Sequence, residues 1–160
     1  MIRPALPNKN DISQLMALCK MANASAPNYQ LKINKRKVQH TLLAAMDDRK
    51  SFLYVVEKDG AIIGFMLAQI DTLWCSDDES ATDLMFYVKP SQQYNTAFAA
   101  KALLKTFDTW WRKFPKCREA VLANSSGRDD NQQTSRLYSA LGYISDGAIH
   151  TKLRKNLCQD

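Results

Sequence analysis

The sequence predicts a mixed α/β domain, on three observations. Apolar residues recur at helical spacing in four segments, the runs between them are rich in β-branched and aromatic residues, and an Asp-Gly pair separates two such runs. Ile2 and Arg3, bounded by Pro4, form a short opening strand. Asn10 or Asp11 then caps a helix over DISQLMALCKMA, in which Ile12, Leu15, Met16 and Cys19 share a face. After the polar stretch NASAPNYQ, a second helix starts at about Asn34 and carries Val38, Leu42, Leu43 and Met46 on one side. Lys35, Arg36 and Lys37 fill its first turn, where cations oppose the helix dipole, and with Lys32 they make a basic cluster. SFLYVVEKDGAIIGFMLAQID reads as a β-hairpin turning at Asp59-Gly60. Ser76 to Glu79 is an acidic loop, and ATDLMFYVKP is a strand stopped at Pro90. A long helix begins at Asn95 or Thr96. Its stripe of Ala99, Leu103, Phe107, Trp110, Trp111 and Phe114 is read as core rather than as a platform for stacked bases. REAVLAN is a strand and SSGRDDN a loop; a helix follows from about Asn131 to Leu141, closed by Gly142 as its left-handed cap, and AIHTKL is a final β segment.

Composition bounds the function. The chain has 160 residues, 46% of them hydrophobic, with 22 Lys plus Arg against 16 Asp plus Glu, a formal charge of +6. That suits one domain spanning residues 1–160, with no repeat or linker. No apolar stretch is long enough to span a bilayer, and the opening MIRPALPNKND lacks the apolar core of a secretory signal, so a cytoplasmic protein is expected. Cys19, Cys75, Cys117 and Cys158 lie far apart without a Cys-x-x-Cys pair, and only His40 and His150 accompany them. A metal site or a histidine-based triad is therefore not expected. The positive charge favours an anionic partner.

The strand, helix, strand unit at about residues 82–124 is a right-handed crossover with parallel strands. In such units ligands sit at the carboxyl ends of the strands, beside the following helix N-terminus, which here is the segment KPSQQYNTA. Beyond it, Asn131, Thr134, Leu137, Tyr138, Leu141, Gly142 and Tyr143 follow the pattern Asn-x-x-Ala-x-x-Leu-Tyr-x-x-Leu-Gly-Phe, and Val88-Lys89-Pro90 follows Val-x-Pro. In these motifs, in Ile2-Arg3-Pro4 with Asn10-Asp11, and in the hairpin from Val55 through Gly60 to Gly64, the chain resembles the GCN5-related N-acetyltransferase (GNAT) family, most of all its small bacteriophage-type members.

The resemblance implies a GNAT-type acyl-CoA N-acyltransferase fold, a mixed and mostly antiparallel sheet flanked by helices and splayed between its fourth and fifth strands. It implies acetyl-CoA as cosubstrate, transfer of the acetyl group to a primary amine, and no metal. Tyr138 would be the general acid for the departing thiolate. Backbone N–H groups of the Met85 to Val88 strand would polarise the thioester carbonyl. Phe86, Tyr87, Val88, Asn95, Thr96, Ala97, Phe98, Ala99, Ala100, Lys101 and Asn131 would hold the cofactor. For the base, Asp83 and Glu79 stand beside deprotonation through an ordered water; Asp83 is nearer the strand end and alternates in phase with Met85 and Tyr87.

Where the family's turn carries glycines this chain has Asn95 to Ala100, with no glycine between Gly64 and Gly127, which supports a second expectation: a non-catalytic binding or virion-interaction protein of the same fold. The basic cluster favours an anionic acceptor, including an amine carried by a modified DNA base. No membrane partner is expected, and a homodimer is compatible with the resemblance.

Overall fold

The computed structural model describes residues 1–25, 32–93, 95–123 and 131–145, with backbone only at 131–133. Most of the SSGRDDN loop, part of NASAPNYQ and the segment AIHTKL lie outside them. The elements in chain order are β1 (Ile2–Pro4), α1 (Lys9–Ser25), α2 (Lys35–Asp47), β2 (Ser51–Lys58), β3 (Ala61–Thr72), β4 (Glu79–Val88), α3 (Thr96–Trp111), β5 (Cys117–Val121) and α4 (Asn131–Ala140). The five strands form one sheet in sequence order; β1 to β4 pair antiparallel, and β5 joins β4 in parallel through the α3 crossover.

Local chemistry accounts for the boundaries. Asp59 and Gly60, at φ 51 and 77, make the two-residue turn whose twist matches a hairpin. Asn34 and Asn95 cap α2 and α3, their side-chain oxygens accepting from the N–H of Lys37 and Phe98. The first helix departs from expectation, because its cap is Asn8, whose Oδ1 accepts from the Asp11 N–H at 2.8 Å. Asp11 is drawn instead into a buried pair: its two oxygens take the Arg3 guanidinium at 2.7 and 3.0 Å, and the Leu6 N–H adds a third bond at 2.9 Å. Arg3 also donates to Glu57 at 2.6 Å, so one side chain ties β1, α1 and β2 together. β4 begins at Glu79 rather than Ala81. Glu79 and Ser80 find ladder partners on both sides, Thr72 and Asp71 on β3 and Cys117 and Glu119 on β5, and Lys50 Nζ neutralises the buried Glu79 carboxylate at 2.7 Å.

Side chains alternate across the sheet and build two cores. On one face α1 and α2 lay Leu15, Leu18, Leu42 and Ala45 against Leu53, Val55, Phe65 and Leu67. On the other, α3 and α4 bring Leu103, Leu104, Phe107 and Tyr138 onto Phe52, Met66, Ala68, Ile70 and Ala81. The aromatic stripe of α3 belongs to this core, as expected. Phe107 meets the Phe52 ring edge-on at 5.5 Å, and Trp110 sits 5.3 Å from Phe52 and 5.4 Å from Phe114. Among the described residues no helix is long and apolar enough to cross a membrane.

Candidate active site

β4 is irregular at its middle. Asp83 pairs with Ala68 and Met85 with Leu67, so Leu84 is an extra residue that bulges the strand. A bulge reverses which face each later residue presents. Ala81 and Asp83 precede it and lie on the α3–α4 side; after it Phe86 and Val88 take that side, while Met85 and Tyr87 pack with the α1–α2 core. The expected phase between Asp83, Met85 and Tyr87 is thereby corrected: simple alternation holds only in an unbroken strand.

β5 parts from β4 at the same place. The parallel ladder runs from Glu79↔Cys117 to Thr82↔Val121 and ends there, leaving the 83–88 half of β4 unpaired with β5. This is the expected splay. Asp83 stands at its vertex, and its Oδ1 accepts from the Ala123 N–H at 2.7 Å. Burial pushes the Asp83 carboxyl up, opposed by that bond and by one from its own backbone N–H. At the other end Gly64 lies opposite Val88, where a Cβ would meet Val88 Cγ2 at 2.9 Å and the Tyr87 carbonyl oxygen at 3.0 Å. The absent side chain lets the far end of β4 close onto β3.

Tyr138 comes to this vertex from the last turn of α4. Gly142, at φ 87, ends that helix in a Schellman motif: the Tyr143 N–H donates to the Tyr138 carbonyl at 3.1 Å and the Gly142 N–H to the Ser139 carbonyl at 3.0 Å. The two tyrosine rings pack at 5.9 Å, the apolar contact this motif favours. Tyr143 then donates its hydroxyl to Asp108 on α3 at 2.6 Å, so the Leu-Gly-Tyr sequence both stops the helix and docks it. Tyr138 is buried. Desolvation, and next the negative charge of Asp83, raise its pKa well above the ordinary tyrosine value.

The start of α3 lies past the end of β4. Asn95, Ala97, Phe98 and Lys101 are exposed there, Phe98 at 71%, and Thr96 is half-buried. Ala99 is buried in the core on the sheet and Ala100 beside it is also buried, so helix packing accounts for these two small residues. Asn95 accepts from the Phe98 N–H at 2.9 Å, and Lys58 Nζ, from the hairpin end, donates to the Gln93 carbonyl at 3.1 Å. Asn131 opens α4, and its side chain lies outside the described structure. Thus Asp83 and Tyr138 are brought together, Phe86 and Val88 share their face, and Tyr87 does not. Glu79 is at the opposite end of β4, held by Lys50. Sequence reasoning missed the Leu84 bulge and the contacts of Ala123 and Lys58. Gly64 within an apolar run was the one available signal of close backbone approach.

Phe86 and Val88, Gly64 and the exposed start of α3 fit a slender acyl-thioester arm: one strand edge is free of ladder bonds, and Phe98 does not fill the turn. Neither a family model nor a curated protein matches the chain. Solved structures do. The aminoglycoside antibiotic 6'-N-acetyltransferase AAC(6')-IG from Acinetobacter haemolyticus superposes with a TM-score of 0.68 at 14% identity, covering 97% of this chain and 98% of that one. The aminoglycoside N-acetyltransferase AAC(6')-Iy in complex with CoA gives a TM-score of 0.69 at 16% identity, over 97% of this chain and 95% of that one. The same enzyme bound to a bisubstrate analogue, CoA-S-monomethyl-acetylneamine, gives 0.68 at 20% identity, over 96% and 97% of the two chains. Superposing over nearly its whole length on these enzymes, this chain has the fold of the GNAT acetyltransferases.

Proposed function

We propose that the chain is an N-acetyltransferase that moves the acetyl group of acetyl-CoA to a primary amine by direct attack. The observation that carries this reading is Tyr138, buried beside Asp83 at the point where β5 leaves the edge of β4 free. Those N–H groups of residues 85–88 that face away from β3, toward the edge β5 leaves, would hydrogen-bond the thioester carbonyl and stabilise the negative charge that grows on its oxygen. Exposed backbone at the start of α3, with Lys101 beside it, would hold the anionic end of the cosubstrate. The acceptor enters as a neutral amine, its nitrogen bonds to the carbonyl carbon as the carbon–sulfur bond breaks, Tyr138 donates its hydroxyl proton to the departing thiolate, and the proton shed by the nitrogen passes to water, from which the phenol regains its own. The likeness to small bacteriophage-type members rests on sequence pattern alone.

The acceptor is proposed to be an amine on an anionic carrier, such as a modified base in DNA. Lys32, Lys35, Arg36 and Lys37 are all exposed around the start of α2. Such a cluster favours an anionic carrier over a polycation such as an aminoglycoside. Steep loss of nucleic-acid affinity with salt, abolished by changing Lys35, Arg36 and Lys37 to Ser, supports this acceptor class; unchanged binding by that variant points to a small amine or a protein lysine.

Isothermal titration with acetyl-CoA tests the main reading. If binding occurs, Tyr138→Phe lowers kcat by about 100-fold or more and leaves cofactor affinity nearly unchanged, because the proton is needed only as the thiolate forms. A second reading, a binding protein of this fold without the reaction, is favoured by the glycine-free turn, in which Asn95 already engages the Phe98 N–H. No binding at millimolar acetyl-CoA, with binding created by glycine at Thr96 and Phe98, would put that reading first.

A further inference from the structure

The vertex of the splay holds a feature that the proposed reaction does not use. The ladder between β4 and β5 stops at Thr82↔Val121, yet the chain of β5 continues alongside to Ala123. A parallel partner strand would supply a backbone carbonyl to the Ala123 N–H. Here the partner is the side chain of Asp83, at 2.7 Å, on the residue that follows the last ladder pair and precedes the Leu84 bulge. The bulge turns the β4 backbone away, and the carboxylate reaches across the opening it leaves. We propose that Asp83 is a positioning residue: its carboxylate pins the first N–H that β5 loses and so sets where, and how widely, the sheet opens beside Tyr138.

A general base needs an oxygen lone pair directed at the attacking amine or its water. The Oδ1 of Asp83 is committed to Ala123, and the side chain lies on the α3–α4 side of the sheet, across from Met85 and Tyr87. With Asp83 in a positioning role, the acceptor's proton leaves through solvent. Asp83 acts through two groups it touches or faces, the β5 backbone and the Tyr138 phenol. Its catalytic half holds only if the chain is the acetyltransferase proposed above; its structural half holds without any ligand.

Asp83→Asn and Asp83→Ala separate these roles. An asparagine oxygen still accepts from Ala123, whereas alanine leaves that N–H without its partner. In the ligand-free protein, amide hydrogen exchange read by NMR is expected to leave Ala123 protected in the wild type and in Asp83→Asn, and to speed its exchange by about tenfold or more in Asp83→Ala. Acetyl-CoA titration and steady-state kinetics should then show Asp83→Asn within about tenfold of wild type in both affinity and kcat, short of the ~100-fold that loss of a general base brings. Asp83→Ala should weaken acetyl-CoA binding by about tenfold, since the gap is no longer held. Equal Ala123 exchange in all three proteins overturns the pin, whether or not acetyl-CoA binds. A kcat loss of ~100-fold or more in Asp83→Asn, with Ala123 still protected, overturns the positioning role and makes Asp83 the base. If Asp83→Ala does not fold, the asparagine variant alone decides between pin and base. Failure of the wild type to bind acetyl-CoA removes the proposed function and leaves the exchange result standing.

Discussion

Replacing Gly64 by alanine tests how closely β4 rests on β3 beneath the proposed cofactor arm. The added Cβ would lie 2.9 Å from Val88 Cγ2, 3.0 Å from the Tyr87 carbonyl oxygen and 3.1 Å from Val88 Cα, where ordinary contacts begin near 3.4 Å. Rotation of Val88 relieves the first contact. The other two are backbone, so β4 must shift by a few tenths of an ångström at the end that carries Phe86 and Val88. Overpacking of this kind costs about 1–3 kcal/mol, offset by roughly 0.4–1 kcal/mol of unfolded-state entropy that alanine removes. The net loss is about 1–2 kcal/mol, or roughly 2–8 °C in Tm at this chain length. Thermal unfolding followed by circular dichroism reads the stability, and calorimetric titration with acetyl-CoA reads the strand displacement as weaker binding. Gly60→Ala is the control: it strains a φ of 77 with nothing within 4 Å, so it should lower Tm and leave acetyl-CoA binding intact. Adding Val88→Ala to Gly64→Ala should restore stability only in part. A Gly64→Ala protein that melts with the wild type, or full rescue by Val88→Ala, would refute the backbone clash.

Asp11→Ala leaves Arg3 facing Glu57 alone and deprives the Leu6 N–H of its acceptor, so a loss of about 3 kcal/mol is expected, measured by urea unfolding. The Arg3 guanidinium holds the Asp11 carboxyl below its ordinary range, so this contribution is full above about pH 4 and disappears as pH falls through the lower folded-state value; Asp11→Ala should flatten the acid limb of the stability curve. Tyr138 and Tyr143 behave oppositely. Burial raises both, so their contribution is full below about pH 10 and is lost as pH rises through the folded-state values, and unfolding midpoints should fall above that point by less in Tyr143→Phe than in the wild type.

The sequence by itself determined the elements whose causes are local. Asp59-Gly60 supplies the positive φ pair of a hairpin, Asn34 and Asn95 supply caps, and Leu141-Gly142-Tyr143 ends a helix with Tyr138 one turn back. Each depends on residues within a few positions of one another, so pattern and spacing suffice to read it. Tyr138 became a candidate through the family resemblance that this local motif carries. Tertiary structure alone decided the rest. Asn8 rather than Asp11 caps the first helix because Arg3, eight residues from Asp11, competes for its carboxylate. Glu79 joins a strand because partners from β3 and β5 meet there. The Leu84 bulge has no signature in ATDLMFYVKP, since an extra residue is defined only by the strand opposite it. That bulge moves Asp83 across the sheet to Tyr138, and it coincides with the point where β5 departs. Alternation can be read along one strand, but the register that assigns its faces is set by pairing energies between segments far apart in the chain.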